Sequence, residues 1–199
     1  MDINDFFDPN NYRQWLRAPF NIDGRTCATN GYILLTMPQY GSFNKGVESI
    51  TTGVRSILES MKEVDFKPMP FIEMPEKETC NTCNGEGKAL RSICEECDGE
   101  GEVDAETDYN TYPGLECKTC KGDGETITQG GEKDCQDCHG IGKRYNKPIP
   151  VELEGMYVSN QLLSLIINDK DVQIGKIEDK DMLAFRSGDQ TGVIIGMRA

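Results

Sequence analysis

The chain has 199 residues, of which 34 are Asp or Glu and 21 are Lys or Arg, which gives a formal net charge of −13. This length suits one or two domains, and no apolar run approaches the roughly 20 residues that span a bilayer. The acidic balance disfavours nucleic-acid binding, because phosphate neutralisation requires Lys and Arg. The first residues lack the basic start and apolar stretch of a signal peptide. We therefore expect a cytoplasmic protein that binds neither a membrane nor nucleic acid directly.

The N-terminal flank, residues 1–75, carries helical patterns at two places. Residues 9–16 predict a short helix that begins after Asp8, with a proline at its first position. Apolar residues recur at helical spacing in residues 47–64, so this stretch predicts an amphipathic helix.

A hairpin is predicted between these two helices. The β-prone runs 25–29 and 32–36 flank Asn30-Gly31, and Asn-Gly between two such runs is a strong hairpin signal. Cys27 lies in the first run. We expect it to be a buried small hydrophobe rather than a nucleophile, because the single histidine of the chain lies far from it in sequence.

The other eight cysteines form four copies of the pattern Cys-x-x-Cys-x-Gly-x-Gly. Two cysteines three apart on a tight turn can direct both sulfurs at one ion, and two such turns complete a tetrahedral structural zinc site. The glycines permit positive φ and bring backbone N–H groups toward the thiolates. Disulfides or redox-active pairs are the alternative, which a reducing compartment disfavours. Two zinc ions are therefore predicted, and the ligands are Cys80, Cys83, Cys94, Cys97, Cys117, Cys120, Cys135 and Cys138.

This fourfold pattern closely resembles the cysteine-rich zinc-finger domain of the DnaJ co-chaperones, over residues 80–142. In that family the first repeat shares a metal with the fourth, and the second with the third. The ligand count alone is equally satisfied by sequential pairing of the repeats. The resemblance implies one zinc held by Cys80, Cys83, Cys135 and Cys138, and a second held by Cys94, Cys97, Cys117 and Cys120. The chain has no His-Pro-Asp tripeptide of a J domain, so stimulation of a chaperone ATPase in the DnaJ manner is not expected.

The finger segment carries most of the negative charge of the chain. Residues 80–142 contain 15 Asp or Glu and five Lys or Arg, a net charge of −10. Such a surface attracts a basic partner, although acidity can also serve only to keep a small module soluble. We interpret His139 as a solvent-facing spacer, because eight cysteines already fill two sites.

The C-terminal flank, residues 147–199, has a regular pattern. A short strand at 150–154 precedes a helix at 160–167 that Ser159 caps. Strands follow at 171–177, 182–186 and 193–198. The predicted order is βαβββ.

These segments predict an α+β fold with one insertion. Prolines mark both ends of the cysteine-rich segment, and two separate flanking domains would be marginal in size. We expect residues 1–75 and 147–199 to form one split body, with residues 76–146 as an inserted, extended β-hairpin zinc finger.

The body also resembles a sliding clamp. The run 25–34, Arg-Thr-Cys-Ala-Thr-Asn-Gly-Tyr-Ile-Leu, looks like the Ala-Thr-Asp-Gly-His-Arg-Leu-type hairpin of bacterial DNA polymerase III β clamps. The helix, the three strands and the final Gly-Met-Arg are similar to the end of a clamp domain. This resemblance implies a clamp-like fold and a role connected with replication. The predicted helices carry few basic residues, whereas a ring around DNA needs them. We therefore expect the body to share with clamps a groove that binds short peptides rather than the ability to encircle DNA.

These observations favour a non-enzymatic, zinc-binding protein-interaction module. We expect an acidic DnaJ-like arm on a clamp-like body that acts as an adaptor or accessory factor, with a partner that offers a basic surface or an unfolded segment. Three alternatives remain open: a chaperone-like binder of unfolded clients, a thiol–disulfide oxidoreductase, and an acidic mimic of nucleic acid.

Overall fold

The computed structural model describes residues 1–9, 11–138 and 140–197. The chain forms two compact units, which we call the body (Met1–Pro75 and Lys147–Ala199) and the finger (Glu76–Asn146). Among the described residues, no helix has both the length and the apolar character needed to cross a membrane.

The structure is predominantly β. Its two α-helices are α1 (Glu48–Ser60) and α2 (Asn160–Leu163), and 3-10 turns lie at Ile3–Phe6, Gln14–Leu16 and Met61–Glu63. The strands are β1 (Phe20–Ile22), β2 (Arg25–Thr29), β3 (Ile33–Pro38), β4 (Lys67–Pro68), β5 (Glu78–Thr79), β6 (Lys88–Ile93), β7 (Glu102–Glu106), β8 (Thr111–Glu116), β9 (Glu125–Asp134), β10 (Lys143–Arg144), β11 (Pro150–Leu153), β12 (Met156–Ser159), β13 (Gln173–Ile177), β14 (Met182–Ser187) and β15 (Gln190–Ile195). The predicted α+β class is therefore only partly correct, because helices contribute little.

One antiparallel sheet organises the body, with strand order β1-β2-β3-β15-β14-β13-β4. Successive side chains of a strand point to opposite faces, and in β14 Leu183 and Phe185 enter one buried cluster while Ala184 enters the other. Helix α1 covers the second face through Val54. Because both faces of this sheet are buried, the sequences of its central strands are continuous apolar runs.

The predicted hairpin of the N-terminal flank is confirmed. Strands β2 and β3 pair antiparallel, and the Asn30 side chain accepts hydrogen bonds from the Tyr32 and Ile33 N–H groups at 2.9 and 3.1 Å. Strand β1 was not predicted, and it joins β2 through Asp23-Gly24, both at positive φ. The predicted amphipathic helix is present as α1.

The predicted helix at 9–16 is wrong in extent. The structure has only the 3-10 turn Gln14–Leu16 there, in which Leu16 is the one buried side chain. A helix of eight residues is marginal without a packed apolar face. Asn10 lies outside the described residues.

Two predictions for the C-terminal flank are corrected. Helix α2 ends at Leu163, and hydrogen-bonded turns follow through Ile167. The Gln161 carbonyl accepts from the Ser164 hydroxyl at 2.7 Å, and the Leu165 N–H bonds to the Leu162 carbonyl at 3.2 Å, so the regular helical pattern is interrupted here. Strand β12 was missed; it pairs with β11 across a turn at Glu154-Gly155, both at positive φ. The order is ββαβββ rather than βαβββ, while the predicted cap is confirmed, since Ser159 Oγ accepts from Gln161 N at 3.2 Å. Arg198, predicted to end the last strand, lies outside the described residues.

In the described part of the finger, the strands form three antiparallel pairs. Strand β5 pairs with β10, β6 with β9, and β7 with β8. The pairs are nested in sequence, and the four Cys-x-x-Cys turns lie between them. Each pair is only two strands wide, so the finger has little apolar core beyond its cysteines.

Candidate metal centre

Eight cysteine sulfurs gather into two groups of four. Repeats one and four form the outer cluster, and repeats two and three form the inner cluster. In each cluster the four sulfurs lie within 4.8 Å of one another, and all eight side chains are buried. The outer cluster is Cys80, Cys83, Cys135 and Cys138, and the inner cluster is Cys94, Cys97, Cys117 and Cys120. The nested pairing therefore appears in the structure, and the sequential pairing does not.

The sulfur spacing suits a tetrahedral zinc ion. Zinc–sulfur bonds of about 2.3 Å place the corners of a tetrahedron about 3.8 Å apart. The sulfur–sulfur distances are 3.9 Å for Cys80–Cys135 and 3.7 Å for Cys83–Cys138. In the inner cluster they are 3.8 Å for Cys94–Cys117 and 3.7 Å for Cys97–Cys120. A disulfide would bring two sulfurs to about 2.05 Å, and all eight cysteines are free.

Backbone hydrogen bonds join the paired repeats. The first cysteine of each repeat donates its N–H to the carbonyl of the last glycine of the other repeat. In the outer cluster, Cys80 donates to Gly142 at 2.9 Å and Cys135 donates to Gly87 at 2.8 Å. The inner pairs are Cys94 to Gly124 and Cys117 to Gly101, both at 2.9 Å. This reciprocal pattern brings the two turns of a cluster together independently of the sulfurs.

The last glycine of each repeat is required by close approach to the other repeat. A Cβ at Gly87 would lie 2.3 Å from the Gly140 carbonyl oxygen, and one at Gly142 would lie 2.2 Å from the Gly85 oxygen. The inner cluster repeats this contact at 2.3 Å for Gly101 with Gly122 and for Gly124 with Gly99. The motif glycines thus permit the two turns to touch, beyond permitting the turn itself.

The same glycines supply hydrogen bonds to sulfur, as the sequence predicted. In each repeat the last glycine donates its N–H to the second cysteine. The nitrogen–sulfur distances are 3.2 Å for Gly87–Cys83, 3.3 Å for Gly101–Cys97, 3.3 Å for Gly124–Cys120 and 3.2 Å for Gly142–Cys138. Such bonds stabilise a thiolate and orient a metal ligand.

One thiol in each cluster ionises more readily than an ordinary cysteine. The backbone N–H of Cys120 is the main cause that lowers the pKa of the Cys117 thiol to about 7. Burial opposes ionisation at Cys80, but backbone N–H groups, that of Cys83 foremost, outweigh it and lower the pKa to about 7.

Two thiols in each cluster resist ionisation, because burial raises the pKa of Cys94 and Cys120 in the inner cluster and of Cys135 and Cys138 in the outer cluster. Burial raises the pKa of Cys94 to about 11 and that of Cys135 to about 12. Four thiolates this close repel one another, and a divalent cation among them removes the repulsion. The donor set therefore fits zinc, whose structural sites are commonly four thiolates.

Asp137, between the two cysteines of repeat four, also links the outer repeats. Its carboxylate accepts from the Thr82 hydroxyl of repeat one and from Arg91 Nη2 at 2.7 Å, and it pairs with Arg144 at 2.9 Å. Burial raises the pKa of Asp137, but these partners outweigh it and lower the pKa below its ordinary value. Sequence reasoning missed this residue, because its position in the motif gives no signal.

Two other predictions concern single residues. Cys27 is fully buried in β2, and burial raises the pKa of its thiol to about 12, which agrees with the predicted packing role. His139, predicted to be a spacer, lies outside the described residues.

Comparisons with known proteins point to the same segment. No protein-family model matches the chain. The chaperone protein DnaJ of Francisella philomiragia is 29% identical over 97 residues, which covers 47% of this chain and 25% of that protein. DnaJ of Halalkalibacterium halodurans is 35% identical over 101 residues, 46% of this chain and 26% of the relative. DnaJ of Acetivibrio thermocellus is 24% identical over 148 residues, 68% of this chain and 37% of the relative. The chain therefore spans only 25% to 37% of the length of these relatives.

One solved structure resembles the whole chain weakly. The DNA polymerase III subunit beta of Pseudomonas aeruginosa is 12% identical, with a TM-score of 0.32, over 99% of this chain and 62% of that one. A TM-score of this size does not show a shared fold.

The sequence similarity and the geometry agree on the finger. The similarity to DnaJ falls on the cysteine-rich region, and the cysteines of that region form two four-sulfur groups. Both observations support the prediction of two zinc ions. The segment is a DnaJ-like, zinc-binding finger region.

Proposed function

We propose that this chain is a non-enzymatic protein-interaction module, in which a two-zinc finger inserted into a split body acts as an adaptor or accessory factor for a protein partner. The observation that carries the proposal is the pair of buried four-sulfur clusters. Four thiolates complete the tetrahedral coordination of zinc and leave no open position for a substrate. Zinc here supplies cross-links between turns rather than chemistry on a substrate.

Each cluster would hold one zinc through its four cysteines. Binding of structural zinc to small modules contributes on the order of 10–16 kcal/mol to folding. That contribution replaces the apolar core that two-stranded pairs cannot form. A finger stabilised in this way presents its side chains to solvent in a fixed arrangement, which is what an interaction surface requires.

The surface of the finger favours a basic protein partner. Its net charge of −10 between residues 80 and 142 becomes more negative when eight thiolates bind two Zn²⁺. This charge repels nucleic acid and steers basic surfaces toward the finger. We place the protein in the cytoplasm, where thiols remain reduced. A role in replication is proposed from the sequence resemblance alone, that of the hairpin at 25–34 and of the C-terminal helix and strands to a clamp domain.

Chaperone-like binding of unfolded clients is a second candidate. The similar proteins are named chaperones, and several large apolar side chains of the finger are exposed, among them Ile93, Tyr109 and Ile141. Unfolded clients are bound through such side chains with little selectivity.

Co-purification from native lysate separates these functions. The intact zinc-loaded chain is compared with a version in which a short Gly-Ser linker replaces residues 80–142. A thermal melt confirms first that the shortened body still unfolds cooperatively. A few defined partners that disappear with the finger support the adaptor. If removal of the finger leaves every partner bound, the proposal is contradicted. If a broad set of partly unfolded proteins co-purifies, the chaperone function is favoured.

A further inference from the structure

The strands β7 and β8 form a ribbon with two unlike faces, which we call the β7–β8 ribbon. Val103 lies opposite Leu115, and Ala105 lies opposite Tyr112. A register shift separates these two pairs, so Leu115 and Tyr112 are three residues apart in β8. Val103 and Ala105 are two apart in β7 and lie on one face, their cross-strand partners lie on the same face, and the acidic residues of β7 occupy the other. The burial of β7 alternates accordingly between half-buried and exposed. One face of the ribbon is therefore apolar and the other is acidic.

The apolar face of the ribbon is only partly covered in the part of the chain that the structure describes. Strands β7 and β8 pair only with each other. Val103 packs against the inner cluster, but Tyr112 is 47% exposed, Leu115 is 44% exposed, and Tyr109 in the connecting turn is 92% exposed. Aromatic and aliphatic side chains grouped in this way are typical of an interaction site.

The charge on the ribbon and in the adjoining turn is of one sign. Residues 92–117 contain nine Asp or Glu and no Lys or Arg. Among the described residues, the ion pairs of the finger involve other carboxylates, those of Glu125, Asp134 and Asp137. Glu102 and Glu116 lie directly opposite each other across the strands, and like charges in that position are destabilising. A bound cationic group would relieve this repulsion.

We propose that the β7–β8 ribbon binds a basic amphipathic segment of the partner protein, whose apolar side chains cover Tyr112 and Leu115 while its long Lys and Arg side chains extend past the edges of the two-stranded ribbon to the carboxylates of the other face. The proposal rests on the proposed adaptor function and names the chemistry of its partner. A second copy of this chain is a poor occupant, since it brings the same negative charge. A nucleic acid is excluded for the same reason.

The binding test uses the full, zinc-loaded chain and three labelled peptides of alternating sequence. A Lys-Leu peptide supplies both features, a Lys-Ser peptide supplies charge alone, and a Glu-Leu peptide supplies apolar side chains with the wrong charge. Fluorescence anisotropy measures the affinity at about 50 mM and about 300 mM salt, concentrations that differ in how strongly they screen charge. The Lys-Leu peptide should bind more tightly than both others, and high salt should weaken it.

Variants locate the site on the ribbon. Tyr112→Thr/Leu115→Thr keeps β-prone residues but removes the apolar face, and Glu102→Gln/Glu116→Gln removes two carboxylates. Each should weaken binding of the Lys-Leu peptide by roughly threefold to tenfold. The matched control is Ile127→Thr/Glu132→Gln, which makes the same kinds of change on exposed positions of β9. All variants are first checked for two zinc ions per chain.

The outcomes separate cleanly. Weakening by both ribbon variants but not by the control supports the proposal. No binding of the Lys-Leu peptide, equal binding of the Lys-Ser peptide, or equal weakening by the control overturns it. If the finger deletion removes defined partners from a lysate while both ribbon variants retain them, the adaptor function stands and this inference alone fails.

Discussion

Replacing Gly87 by alanine tests the idea that close contact between repeats builds the outer zinc cluster. The new Cβ would lie 2.3 Å from the Gly140 carbonyl oxygen, whereas carbon–oxygen contacts in proteins are rarely closer than about 3.3 Å. The two turns must therefore separate by about 1 Å. That movement stretches the two backbone bonds that join the repeats, the 2.8 Å bond from Cys135 N to Gly87 O and the 2.9 Å bond from Cys80 N to Gly142 O.

The expected magnitude follows from these two bonds. Each contributes about 1 kcal/mol, and lost support around a metal ligand typically lowers metal affinity by about 10–100-fold. We expect Gly87→Ala to weaken the outer zinc by that factor and to leave the inner zinc unchanged. Competition with a chromophoric chelator measures this directly, because one zinc per chain should then be released at lower chelator concentration than the other.

Gly131→Ala is the matched control. Gly131 lies in β9 of the same finger and also has a positive φ, +92° against +73° for Gly87, but a Cβ there would meet nothing within 4 Å. The backbone strain of about 1–2 kcal/mol is thus common to both variants, and only Gly87→Ala adds the clash. If Gly87→Ala holds both zinc ions as the original protein does, or if Gly131→Ala weakens zinc equally, the contact between the repeats does not support the site.

Further expectations concern the metal and the body. Cys97→Ser should lower the zinc content measured by elemental analysis from two ions to one, whereas Cys27→Ser should retain both, because Cys27 belongs to neither cluster. Acidification should release zinc, since protons compete with the metal for the thiolates. A chromophoric chelator followed as the pH falls checks this direction. Phe185→Ala should destabilise the body by about 3–5 kcal/mol, because that ring is fully buried, while the zinc content stays at two.

The metal ligands could be predicted from the sequence because they are local. Cys80 and Cys83 belong to one turn, and the glycines that shape that turn follow immediately. Turn chemistry of this kind depends on neighbouring residues only. The same reasoning identified the hairpin at Asn30-Gly31 and the cap at Ser159.

Elements with weak local signals could not be predicted in this way. Strand β12 depends on the turn at Glu154-Gly155, and α2 ends where the Ser164 hydroxyl bonds to the Gln161 carbonyl. Each of these local features competes with the apolar pattern of its segment. The predominance of β-structure was also missed, because several finger strands are short, exposed and polar.

Sequence by itself determined that eight cysteines form four two-ligand turns, each with its own glycines. Only the tertiary structure decided which turns share a metal. Sequential and nested pairing satisfy the same ligand count, and the choice depends on strand pairs such as β6–β9, which join residues far apart in the chain. Those long-range hydrogen bonds bring repeat one to repeat four and repeat two to repeat three. The turns then lie so close that an added Cβ would be only 2.2 or 2.3 Å from a carbonyl oxygen, so only glycine fits there.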